Sequence, residues 1–437
     1  MVRALGALNR KNRRFMPLRF GVYEHRLVYG GDRLLIKHFI VLRDEYGLIQ
    51  RWTDFDKYAQ GGRKMIARNL FSTDEKRCKT ACKLLNYVFF DKYHITKLVD
   101  LEIDMVVNFL KDYGLCRLPD DNENTVRSKS TVISCVNEVR DFVLSLIEDG
   151  SCKIREQDLY REERVFNQKK RKYVMKRVPV FQVYFIENEK KILRDLPEGA
   201  FQIIMNEVMA NHRNILMLFA LGAFAGLRPS EACNVRRVDS KLGPGIMFDI
   251  VNGDVVGVTI DLKQERPLRS DLVNVGGIKK PRYQKVYPAF LDAFMECYNM
   301  YMKYIKGRPY EEDYGALTTT STGMAYTYDA YSKEFKNAVN DAIPAMLASD
   351  DPETVNYGHL LQQYSISPHI LRHWYSVKLA LYGETVAGLM NWRGDKSPES
   401  ALTYLMNKSE LEEQLAEVNR EGISYMLWRA EKEHNDD

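Results

Sequence analysis

Residues 215–231 read ILMLFALGAFAGLRPSE, an uncharged apolar run that ends abruptly in Arg228, Pro229 and Glu231. The run is shorter than the roughly 20 apolar residues a membrane crossing needs, so it reads as a helix buried on most of its circumference. Pro229 suits the first position of a following helix, where its missing N–H would have no partner. Glu231 then falls in the first turn, where the helix dipole favours a negative charge. Arg228 therefore sits at a junction between two helices. A junction fixes the stem of a guanidinium better than an open helix face does, which suits this arginine to an anion.

Two later stretches carry residues of the same chemical kind. Residues 367–374 read SPHILRHW. Ser367 is a plausible cap and Pro368 a plausible first helical residue, which places His369 and Arg372 on one face of the first turn. Residues 390–405 read MNWRGDKSPESALTYL, a tryptophan followed by a turn-rich loop and then a helical stretch bearing Tyr404. Between the two arginines, residues 248–260 (FDIVNGDVVGVTI) hold Asn252-Gly253, a hairpin signal between two strand-like runs. Residues 274–288 (NVGGIKKPRYQKVYP) supply a third extended stretch that would complete a small antiparallel sheet.

At 437 residues the chain is long enough for two or three domains. Its 45% hydrophobic and 28% charged residues are ordinary for a globular protein that works in water. No apolar run reaches membrane-spanning length and none follows the basic start as in a leader, so a cytoplasmic protein without membrane attachment is expected. The seven cysteines are scattered, with no CxxC pair, and read as reduced, mostly buried thiols. No metal site is expected.

The net charge of +5 is unevenly spread. Residues 1–19 hold six basic residues and no acid, and residues 161–177 hold eight basic against two acidic, whereas residues 409–437 hold nine acidic against three basic. Basic arms beside a neutral body imply a polyanionic partner. Within the second run, Lys169, Lys170, Arg171, Lys172, Lys176 and Arg177 are candidate DNA-binding residues. A basic linker there would lie along a duplex between two compact bodies. Upstream, two helices are expected. One is capped by Asp100, carries Ile103, Val106, Val107 and Leu110, and is stopped by Gly114; the other carries Val132, Cys135, Val136, Val139, Val143 and Leu146 and is stopped near Gly150.

The order GLRPSE, a lysine near a hairpin, HILR, Trp and Tyr resembles the tyrosine recombinase (phage integrase) family over roughly residues 75–410, with GLRPSE and HILRHW its most specific parts. The resemblance implies an α+β, mostly helical fold: a helical core-binding domain plus a catalytic domain of helices with a small antiparallel sheet. The expected division is a basic, mixed arm segment at 1–70, a core-binding domain at 71–160, a linker at 161–179, a catalytic domain at 180–408 and an acidic tail at 409–437. Matched residue by residue, Arg228 and Arg372 correspond to the two family arginines and His369 to the histidine of the HxxR box. Trp392 corresponds to the His/Trp position and Tyr404 to the nucleophile. Lys280 corresponds to the hairpin lysine, with Lys279 and Lys263 as neighbours for that role.

The implied activity is site-specific recombination of double-stranded DNA through a 3′-phosphotyrosyl link, by a homotetramer on two duplexes, with neither cofactor, ATP nor metal. A type IB topoisomerase-like or telomere-resolving enzyme shares the same chemistry, and a non-catalytic DNA-binding regulator shares the fold. Two departures from the family pattern stand out. The interval from Trp392 to Tyr404 is long, through an inserted RGDK, and so is the interval between the two arginines.

Overall fold

The computed structural model describes residues 18–31, 33–59, 71–122, 125–167, 172–186, 196–308 and 314–395. These fall into two compact units, one of the described residues up to His25 and within Ile36–Lys190, the other of Arg26–Leu35 and the described residues beyond Lys191. The fold is α+β and mostly helical, with small antiparallel sheets.

Strands β1 (Arg19–Tyr29), β2 (Arg33–Arg43) and β3 (Ile49–Trp52) come first among the described elements, ordered β1-β2-β3 in one sheet. Along β2, buried Ile36, His38 and Ile40 alternate with less buried Lys37 and Phe39, the period of a strand with one face covered. Helices α1 (Asp56–Ala59), α2 (Phe71–Asn86), α3 (Ile103–Gly114) and α4 (Lys129–Glu148) follow. The face of α4 formed by Val132, Cys135, Val136, Val139, Val143 and Leu146 is buried as its spacing predicts, and Gly150 beyond it has φ +66°. Helix α3 begins later than expected. Glu102 occupies its cap, while Asp100 closes a 3-10 turn and Leu101 is buried in an extended conformation that delays the helix.

The basic stretch expected to act as a linker folds as a hairpin. Strands β4 (Tyr160–Asn167) and β5 (Lys172–Pro179) pair antiparallel from Tyr160 opposite Pro179 to Asn167 opposite Lys172. Val165, Phe166, Tyr173, Val174 and Val178 bring strand propensity that the density of charge conceals. Of the candidate DNA-binding residues, Lys172, Lys176 and Arg177 lie on β5, with side chains outside the described ones, and Lys169, Lys170 and Arg171 lie outside the described residues.

The second unit is built around a helix buried on every side. After α5 (Glu198–Ala210), all residues of α6 (Leu216–Phe224) are buried, and α6 packs against two later helices. A one-turn helix α7 (Pro229–Ala232) leads to β6 (Ile246–Val251), β7 (Asp254–Leu262) and β8 (Arg282–Lys285), an antiparallel sheet in chain order. Asn252 and Gly253 both have positive φ, 54° and 96°, as the expected two-residue hairpin turn requires.

Helices α8 (Leu291–Ile305), α9 (Tyr328–Leu347), α10 (Pro352–Gln363), α11 (His369–Leu381) and α12 (Val386–Arg393) complete the unit. The Trp374 ring of α11 stacks on Phe201 of α5 at 3.8 Å, and α6 packs against both α8 and α11. Such an aromatic pair contributes about 0.5–1.5 kcal/mol beyond its buried area. These packed helices form the rigid frame on which the site is mounted.

Among the described residues no helix is long and apolar enough to cross a membrane. Cys78, Cys82, Cys135, Cys233 and Cys297 are buried free thiols, with Cys116 and Cys152 partly buried. Burial pushes the Cys135 thiol up to about 12, which leaves it un-ionised at neutral pH.

Candidate active site: an arginine-lined anion cleft

The end of α6 fixes Arg228. Gly226 turns the chain with φ +63°, and Arg228 then takes an extended conformation as the cap of α7, with Pro229 at the first helical position. The Glu231 carboxylate accepts the Arg228 backbone N–H at 3.2 Å and its Nη1 at 3.0 Å. On its other side the same carboxylate accepts Arg282 Nη1 at 3.2 Å and Nη2 at 3.0 Å. Burial opposes ionisation of this fully buried group. Hydrogen bonds from Arg282 and the charges of Arg282, Arg228 and Arg372 outweigh that and hold the carboxyl below its usual range. One buried carboxylate thus sets the angle of two guanidinium groups.

Arg372 arrives from α11, whose Ile370, Leu371, Trp374 and Tyr375 are buried. Its Nη1 donates to the Gly226 carbonyl and its Nη2 to the Arg393 carbonyl at 2.8 Å. Only 1% of Arg372 is exposed, and burial, then Arg228 and Arg393, lower its pKa to about 9, which leaves it charged at neutral pH. Gly226 is required twice over. Its φ suits glycine, and a Cβ there would lie 2.4 Å from the Tyr375 ring.

The two arginines meet at one point. Arg228 Nη2 and Arg372 Nη2 both donate to Asp395 Oδ1, at 2.8 and 3.1 Å. Lys280 Nζ lies 3.8 Å from the same oxygen, and Arg393 Nε lies 3.2 Å from Oδ2. Asp395 follows Gly394, which ends α12 with φ +62°, and its amide donates to the Met390 carbonyl at 2.9 Å. Burial opposes its charge, but Arg372, Arg393, Arg228 and Lys280 hold its carboxyl below the ordinary range. The frame therefore converges cationic donors on a single oxygen atom.

His369 is the first residue of α11, one position after the expected start, with Pro368 rather than Ser367 at the cap. Its ring retains solvent access. Its pKa is lowered to about 4 by partial burial and then by the positive charges of Arg372, Arg228, Arg393 and Lys279. At neutral pH it is therefore uncharged and able to accept a proton.

The structure brings Arg228, Arg372 and Lys280 together around Asp395, with His369 and Lys279 close enough for their charges to act on one another. Lys263 is directed elsewhere, its Nζ lying 4.9 Å from the centre of the Tyr283 ring. The Trp392 indole N–H donates to Glu384 at 3.0 Å, and its ring packs edge-on against Tyr287 at 5.0 Å, so its donor is committed outside the arginine cluster. Tyr404 and the acidic tail lie outside the described residues. Sequence reasoning missed Arg282, Arg393, Asp395 and the central role of Glu231. For Asp395 a signal existed, the inserted RGDK.

One further grouping has donors compatible with a metal ion. Glu207, His212 and Asp341 place ligand atoms within 4.8 Å of one another. The two His212 ring nitrogens already face Glu334 and Asp341 at 3.0 Å, within hydrogen-bond distance.

An α+β protein with guanidinium groups converging beside a lysine and a neutral histidine has the equipment of a site for an oxyanion. No family model matches the chain, and no curated protein matches it. Among solved structures, the chain is similar to the Tn1549 transposon integrase (residues 82–397) in complex with circular intermediate DNA, at 14% identity and a TM-score of 0.46, covering 80% of this chain and 94% of that one. It is likewise similar to a lambda integrase (75–356) dimer bound to a COC′ core site, at 13% identity and 0.44, covering 80% and 93%. For the XerH site-specific recombinase bound to palindromic difH substrate the values are 13% and 0.43, covering 76% and 73%.

Proposed function

We propose that the protein is a site-specific DNA recombinase of the tyrosine recombinase type, an integrase of a mobile element, acting as a homotetramer on paired duplexes. One observation carries this reading: Arg228 at the cap of α7 and Arg372 on α11 donate to a single carboxylate oxygen with Lys280 beside it. A phosphodiester attacked by an oxygen nucleophile gathers negative charge on its non-bridging oxygens, and two fixed arginines stabilise that charge without rearrangement.

In this reaction the Tyr404 hydroxyl oxygen bonds to phosphorus as the bond from phosphorus to the 5′ oxygen breaks. The tyrosine proton passes to neutral His369, and the departing 5′ oxygen takes a proton from Lys280. The products are a 3′-phosphotyrosyl link and a free 5′ hydroxyl. Attack by the hydroxyl of another strand reverses these steps, so religation needs no outside energy source. Trp392 serves as packing beside the cleft, and Arg393 adds positive field.

The test compares wild type with Tyr404→Phe on supercoiled DNA carrying a library of candidate sites, with EDTA and without ATP, on a denaturing gel. Wild type yields a covalent protein–DNA adduct, and Tyr404→Phe binds DNA equally but yields none. An adduct of undiminished yield from the variant refutes the assignment of Tyr404.

A further inference from the structure

The turn that follows α12 supplies the anion that Arg228 and Arg372 hold. Asp395 Oδ1 takes both Nη2 groups at 2.8 and 3.1 Å, within or near the range of charge-assisted bonds, with Lys280 at 3.8 Å. Arg393 Nε lies at ion-pair distance, 3.2 Å, from the other oxygen, Oδ2. A non-bridging phosphate oxygen would call on the same donors from the same direction. A carboxylate and a phosphodiester, each carrying a full negative charge, cannot share that point without strong repulsion.

We propose that Asp395 is a built-in phosphate mimic, an autoinhibitory latch that closes the clamp and withdraws when a phosphate enters it. This rests on the reading of the cleft as a phosphodiester site. Two features equip Asp395 for the role. Its backbone is tied to the end of α12 through the Gly394 and Asp395 amides, which donate to Asn391 and Met390 carbonyls at 3.1 and 2.9 Å. Its side chain is short, so one change of staggered rotamer swings the carboxylate away with the backbone in place. The latch leaves the arginines aligned and charged while denying the clamp to stray anions and to phosphates that are not pressed into it.

The cost of a latch is a reduced apparent affinity. If the carboxylate occupies the clamp about nine-tenths of the time, a competing anion binds about tenfold more weakly than the open clamp would allow. The experiment titrates inorganic phosphate into the full chain at constant ionic strength, observing 31P line broadening, for wild type, Asp395→Asn, and Asp395→Asn combined with Arg372→Ala. Asp395→Asn is expected to bind phosphate about tenfold more tightly, and the added Arg372→Ala to abolish the gain. Equal or weaker binding by Asp395→Asn overturns the latch.

If Asp395→Asn fails to fold, the side chain of Asp395 in wild type decides. Saturating phosphate shifts the Asp395 carboxylate 13C resonance if the carboxylate leaves the two guanidinium groups, and an unmoved resonance overturns the latch. The two readings fail separately. Tighter phosphate binding without a DNA adduct from any variant supports the latch and refutes the recombinase, whereas an adduct from wild type with unchanged phosphate binding refutes the latch alone.

Discussion

Glu231→Gln tests the buried carboxylate that aligns the clamp. In the structure Glu231 is fully buried and accepts from Arg282 twice and Arg228 twice. Removing its charge leaves two guanidinium groups against a neutral amide that can satisfy only part of their hydrogen bonding. Breaking a buried ion pair on one side costs about 3–5 kcal/mol. The Arg228 and Arg282 side chains keep 15% and 13% exposure, which lets water screen part of the loss, so the lower end, about 3 kcal/mol, is expected.

At about 2–4 °C per kcal/mol for a unit of this size, the melting midpoint falls by about 6–12 °C. Thermal and urea unfolding followed by tryptophan fluorescence reads this, because Trp374 and Trp392 lie in the second unit. Adding Arg282→Met removes one stranded cation, so the double variant should be less destabilised than the single costs summed, by about 1 kcal/mol or more. A single variant within about 0.5 kcal/mol of wild type, or strictly additive costs, would refute the buttress.

Other consequences follow from the same geometry. The His369 ring should titrate near pH 4 in the free protein by NMR, and a midpoint at 6.5 would remove the field argument. Because its folded pKa is depressed, the unfolded chain takes up that proton first, so the ring's contribution to stability is lost as pH falls from about 6.5 to 4. Glu231 and Asp395, also depressed, add stability above the ordinary carboxylate range that disappears as pH falls through their lower folded values.

Gly226→Ala should lower the melting midpoint and slow DNA cleavage together, since its φ alone costs about 1–2 kcal/mol for alanine and the Tyr375 ring must also move. A variant that melts and cleaves like wild type would contradict this. Lys280→Met should slow cleavage and be rescued by a 5′-bridging phosphorothioate, whose sulfur leaves without a proton. Lys263→Met should show neither effect; the reverse pattern would exchange the two lysines' roles.

Much of this architecture was legible in the sequence because the signals were local. The apolar run before Arg228, Pro229 at a helix start and Asn252-Gly253 at a turn each act within a few residues of themselves. The β4–β5 hairpin was hidden because its charge density resembles a solvated linker and masks its strand-forming residues. The site was legible as residue types and not as a network. Arg228 meets Asp395 from 167 positions away and Glu231 meets Arg282 from 51, pairings that no helical or strand period encodes. Trp392 shows how chain order leaves a donor's direction open, since local packing turns its N–H toward Glu384.

The central claim is that this clamp holds a phosphate for attack by Tyr404. The most direct measurement digests the trapped protein–DNA adduct and maps the nucleotide-bearing peptide by mass spectrometry. The account predicts one modified peptide, with the link on Tyr404 through a 3′ phosphate. A link on another tyrosine or a serine, a 5′ phosphate link, or no covalent product from a protein that binds its DNA would contradict it.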